Sequence, residues 1–182
     1  MNKYICLLRG INVSGKNLIK MDTLKVALEN LGFAQVKTYI QSGNIVFVSI
    51  AIHTNTLETL INEKIKKVFK LDIPVLVINE KDFNSIILAN NFLKDSKIEP
   101  SKLHITFMAQ KPLVDNIDVI ATLNFGTDQF EISSDQIFLY CPNGYGNTKL
   151  TNTFFEKKLK VNCTTRNWNT VLKLAEMLEG IN

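Results

Sequence analysis

The order in which the hydrophobic periodicity changes constrains this chain more than any other feature. Tyr4–Leu8 is an apolar run of strand length. Met21, Leu24, Leu28 and Leu31 then recur at helical spacing until Gly32 stops the pattern. Val36–Ile40 and Ile45–Val48 read as strands on either side of a Gln41–Asn44 turn. Leu57, Leu60, Ile61, Ile65, Val68 and Phe69 mark a long amphipathic helix, and Pro74 bars its continuation before a fourth strand at Val75–Ile78.

After a helical stretch at Lys81–Asn90 and a linker at Asp95–Ser101, the order restarts. Leu103–Ala109 reads as a strand, with a helix from Pro112, placed in its first turn, to about Leu123. Phe130–Ile132 and Ile137–Tyr140 form a hairpin, and Leu150, Phe154, Phe155 and Leu159 form a helix. Val161–Cys163 reads as a closing strand, and Trp168, Val171, Leu172, Ala175 and Leu178 as a last amphipathic helix. The fold class expected is α+β: two ferredoxin-like βαββαβ units packed together, antiparallel sheets with helices on one face, plus a C-terminal helix. The expected division is 1–79, a connecting helix and linker over 80–101, and 102–182. Because Ile45–Val48 is apolar on both faces, the second face is expected to be covered, most simply by the other half of the chain.

The chain has no apolar run near the ~20 residues a bilayer-spanning helix needs. The short N-terminal apolar stretch, interrupted by Arg9, does not read as a signal peptide. A cytoplasmic protein is expected. Three cysteines without a CxxC and two distant histidines give neither a disulfide framework nor a metal site, and no cofactor is assigned. The net charge of +4 is modest, but its cations concentrate near the two ends, around an acidic middle of Asp115, Asp118, Asp128, Glu131 and Asp135.

Two polar stretches interrupt this ordinary pattern: Arg9–Asn17 (RGINVSGKN) and Tyr140–Leu150 (YCPNGYGNTKL). The topology places the first beside Gln41, Ser42 and Asn44, and the second beside Thr164, Thr165, Arg166 and Asn167. Candidate ligand-binding residues are therefore Arg9, Asn12, Lys16, Asn17, Gln41, Ser42 and Asn44, with Gly144, Tyr145, Gly146, Thr148, Lys149, Arg166 and Asn167. Glycines let backbone N–H groups approach a phosphate, and a following helix adds oriented donors. The same residues also suit a tight turn with Thr148 as a helix cap, so both readings stand. Of the 21 basic residues only Arg9 and Arg166 are arginine, and each lies in one of these regions. A guanidinium there serves either a planar anion or a fork tying loop carbonyls together. Asp22 suits a helix N-cap better than a catalytic role, and Trp168 suits packing of the last helix.

Leu7–Val13 with Gly15–Asn17, Thr38–Asn44, Tyr140, Pro142, Gly144, Gly146, Thr148–Leu150 and Arg166–Trp168 together resemble a bacterial family, domain of unknown function 1697. The resemblance runs from residue 4 to about 178 and implies a pair of ferredoxin-like subdomains and no particular activity. Ser14 stands where glycine is common in that family, and Cys163 and Thr165 replace small alanines. Binding of a nucleotide or nucleic acid is the first expectation. An enzyme acting on a phosphorylated metabolite ranks below it, because no base and nucleophile can be paired. The remaining alternative is a protein-interaction module whose polar stretches are structural.

Overall fold

A computed structural model describes residues 1–181. Among them are two four-stranded antiparallel sheets and six α-helices. Two compact units emerge, 1–85 together with 173 onward, and 86–172, so the chain boundaries fall inside helices.

In the first unit β1 (Asn2–Leu8), α1 (Met21–Glu29), β2 (Ala34–Tyr39), β3 (Asn44–Ser49), α2 (Thr54–Phe69) and β4 (Val75–Asn79) follow in order, with α3 (Glu80–Leu88) leading out. The sheet order is β2-β3-β1-β4. On one face Tyr4, Cys6 and Leu8 of β1 pack with Leu24 and Leu28 of α1 and with Leu57, Ile61 and Ile65 of α2. Asp22 lies in the first turn of α1 and Lys20 holds the N-cap position, so the expected cap role falls elsewhere.

The second unit repeats the order as β5 (Leu103–Met108), α4 (Val114–Ala121), β6 (Gln129–Ser133), β7 (Gln136–Tyr140), α5 (Asn152–Leu159) and β8 (Cys163–Asn167). Then α6 (Trp168–Glu179) begins. Its sheet order is β6-β7-β5-β8. Three boundaries differ from the periodicity. Leu113 is the N-cap of α4, so Pro112 precedes the helix. Leu150 likewise precedes α5, whose cap is Thr151, with its side chain accepting from Phe154 N. The closing strand starts at Cys163 instead of ending there, because β8 carries polar residues that hide it from an apolar-run reading.

All six residues of β3 are buried. Lys3 and Lys37 lie with Val46 and Val48 on the face away from α1 and α2. Lys3 Nζ donates to Leu178 O at 3.2 Å and Lys37 Nζ to Gly180 O at 3.1 Å. Within the first unit the last turns of α6 are therefore held against that second face by cations at a helix C-terminus. Helices on one face only is thus too simple a description of this sheet.

Candidate functional site

At the end of β1, Leu8 N donates to Gly43 O (2.8 Å) and Arg9 N to Pro74 O (3.1 Å). This brings the 9–20 loop beside the 40–44 turn, as the topology predicts. Asn12 organises the loop. Its Oδ1 accepts from Ile19 N (2.9 Å), and its Nδ2 donates to Ile19 O (3.0 Å) and Gln41 O (2.8 Å). Asn17 Nδ2 donates to Gly10 O (2.8 Å), and a bridge between Val13 and Lys16 closes the tip. Asn44, fully buried, donates to Tyr39 O and Ser42 Oγ. Asn12, Asn17, Asn44 and Ser42 thus hold backbone and each other, while Lys16, Lys20 and Gln41 are exposed and Arg9 is half-buried.

The same edge concentrates left-handed backbone. Asn12, Ser14, Asn17 and Ile40 have φ of 53°, 49°, 49° and 50°, alongside Gly10, Gly15 and Gly43. Ile40 is the least expected, since a β-branched residue at positive φ is strained. Gly43 has no alternative: a Cβ there would lie 2.6 Å from Leu8 Cβ and 2.9 Å from Ile11 Cδ1.

The second polar stretch lies at the opposite end of its own sheet, so the two are not equivalent in their units. Gly144 (φ 88°) leads into a single 3-10 turn, Tyr145–Asn147. Asn147 Nδ2 donates to Asn143 O (2.8 Å), Asn143 Nδ2 to Thr127 Oγ1 (3.1 Å), and Thr148 Oγ1 to Asp128 Oδ2 (2.5 Å). Thr148 thus ties the loop to Asp128 and does not cap α5. Gly146 and Lys149 are exposed.

Tyr145 reaches a histidine. Its ring stacks on His104 with centroids 4.7 Å apart and planes at 25°. His104 Nδ1 lies 3.2 Å from Lys102 O, and its Nε2 lies 3.3 Å from Asn167 Nδ2. With Nδ1 protonated, the ring donates to the carbonyl and accepts from the amide. Next along the strands, Thr106 and Thr165 hydroxyls meet at 2.7 Å, and Thr165 donates to Asn152 Oδ1 (2.7 Å) at the start of α5. Burial pushes the His104 pKa down, partly offset by the Lys102 carbonyl. Burial also raises the Cys141 thiol to about 11, against a hydrogen bond from Thr148 and with a further rise from the Asp128 charge.

Sequence reasoning missed His104, Thr106 and Asn152, because the partners of these side chains lie far along the chain. A polar strand pair facing a helix was the available signal. Arg166 is not part of this group. It pairs with Ile105 on the other face, is buried, and donates through Nη1 to Thr164 Oγ1 (2.8 Å) and Thr165 O (2.9 Å). Trp168 is buried at the start of α6.

Among the described residues no group of three or more His, Cys, Asp or Glu side chains is arranged to hold a metal. A family model, "Protein of unknown function (DUF1697)", matches residues 1–138. The chain belongs to the DUF1697 family. That match takes in the whole 9–44 edge and ends before the Tyr140–Leu150 stretch. The fold is also similar to a solved structure, that of conserved bacterial protein SP0830 from Streptococcus pneumoniae. The identity is 26% over 97% of this chain and 98% of that one, with a TM-score of 0.73. Comparison with curated proteins gives no match.

Proposed function

We propose that the chain binds a phosphate-bearing ligand, a nucleotide or a nucleic-acid strand, at the 9–44 edge of its first unit, and that each unit is a ferredoxin-like module. The strand orders and the repeated βαββαβ sequence support the second statement. The first rests on one observation: a loop rich in left-handed residues, locked by the Asn12 and Asn17 amides, keeps Lys16 and Lys20 exposed. Strained backbone held by surrounding structure marks functional loops, and a rigid cationic loop loses little entropy on meeting an anion. Among the described residues of this edge no general base is placed against a nucleophile, so binding is favoured over catalysis. The three cysteines, Cys6, Cys141 and Cys163, are buried and form no disulfide with one another, which agrees with a cytosolic setting.

The test is fluorescence anisotropy with labelled ATP, a short RNA and a short DNA duplex across a salt series. Lys16→Gln/Lys20→Gln should weaken binding roughly tenfold and flatten the salt dependence by up to about two charges. Unchanged affinity in a folded double variant, or no binding by any probe, overturns the reading. One feature favours a protein partner instead: Val13, Leu18 and Ile40 on the same edge are 59%, 69% and 50% exposed. In that case Leu18→Asp, not the lysine changes, abolishes binding of the partner.

A further inference from the structure

We propose that the 9–44 edge of one molecule docks onto helix α4 of a second copy of this chain, whose outer face is acidic and carries exposed aliphatic side chains.

The helix is amphipathic in charge but not in hydrophobicity. Ile120 is its fully buried residue, and Ile117 packs against the same core. Residues four apart share a helix face, so Val114 neighbours Asp118 and Asp115 neighbours Val119 on the side turned from that core. Both aspartates are exposed. Val114 is 68% open, Val119 51%, and Leu123, just past the helix, 41%. A helix covered only by water keeps such side chains inward. Aliphatic groups interleaved with carboxylates on the outer face instead make a surface with something to bury.

The 9–44 edge is its counterpart. There Lys16 and Lys20 are exposed together with Val13, Leu18 and Ile40. Two cations and three aliphatics thus meet two carboxylates and three aliphatics. Among the described residues no salt bridge engages Lys16, Lys20, Asp115 or Asp118, so all four charges are available to a partner. Apolar contact supplies the affinity of such a pairing, and opposite charge selects the partner and its register. Both surfaces remain open in the folded chain, so neither serves the other within one molecule, and every copy carries both. The docking needs no phosphate-bearing ligand. Such a ligand competes with the helix for Lys16 and Lys20.

The test is the mass of the unliganded protein by sedimentation velocity from about 5 µM to about 500 µM, the range in which small interfaces associate. The average mass should rise above the 20.6 kDa of one chain. Leu18→Asp and Val119→Asp, both at exposed positions, should each hold it at that value. Lys16→Glu/Lys20→Glu and Asp115→Lys/Asp118→Lys each set like charges against one another and should weaken association roughly tenfold. An equal mixture of these two reversed proteins restores opposite charge at both contacts and should associate more tightly than either alone, which also shows that both are folded. A single-chain mass throughout the range, association that survives Val119→Asp, or a mixture no tighter than its components overturns the docking. No nucleotide or nucleic acid is present, so the result stands apart from that of the ligand assay.

Discussion

Gly43 and His104 show how single positions carry different kinds of constraint. At Gly43 a methyl group meets Leu8 and Ile11 at sub-contact distance on backbone of φ 78°. Gly43→Ala should therefore destabilise the protein by about 2–4 kcal/mol in urea unfolding, through overpacking and left-handed strain together. His104 is constrained by protonation. Burial holds the folded imidazole below its ordinary 6.5, so in the unfolded chain it takes up its proton at higher pH. Stability should fall as pH drops through that value, and His104→Gln should remove this part of the slope between pH 7 and pH 5. The raised Glu58 carboxylate acts with the opposite sign and is common to both proteins, so the difference between their slopes isolates His104. An identical slope in the two proteins contradicts the assignment.

At the scale of elements, the loop edge trades backbone comfort for shape. Ile40→Gly relieves a β-branched left-handed residue, and the half-exposed side chain has little packing to lose. The variant should be more stable by roughly 1 kcal/mol, as thermal unfolding would register. A loss of stability instead means that the isoleucine packs in solution. Most elements were legible because apolar residues alternate or recur at fixed spacing, as in β1, α2 and α6. β8 was not, since Thr164, Thr165 and Arg166 offer no apolar run. The strand is held by β5, about sixty residues away. Amide roles were illegible for a related reason. The sequence shows that Asn12, Asn17 and Asn44 are polar, but not that their partners are Gln41 O, Gly10 O and Tyr39 O. Proximity of the 9–20 loop to the 40–44 turn was readable from strand direction alone. The grouping of Arg166 with the Tyr140–Leu150 stretch failed because adjacent strand residues alternate faces.

For the molecule as a whole, the two units repeat a device as well as an order. Glu58 of α2 accepts from Val77 N and Glu156 of α5 from Cys163 N, both at 2.9 Å, so each second helix pins its closing strand by a carboxylate. The first unit differs in being discontinuous. Leu174, Leu178 and Ile181 are buried, and their segment groups with residues 1–85. Leu178→Ala should cost about 2–4 kcal/mol and lower amide-exchange protection throughout β1–β3, although that sheet lies about 130 residues earlier in the sequence. Loss of protection confined to α6 would contradict the assignment. The discontinuity also sets an order of events during synthesis. Residues 1–85 leave the ribosome with Lys3 and Lys37 lacking the carbonyls they bind in the finished protein. At about 5–20 residues per second, nearly ninety further residues take several seconds to be added before that segment arrives. During that interval the second face of the nascent sheet lacks the segment that buries Val46 and Val48 in the finished fold.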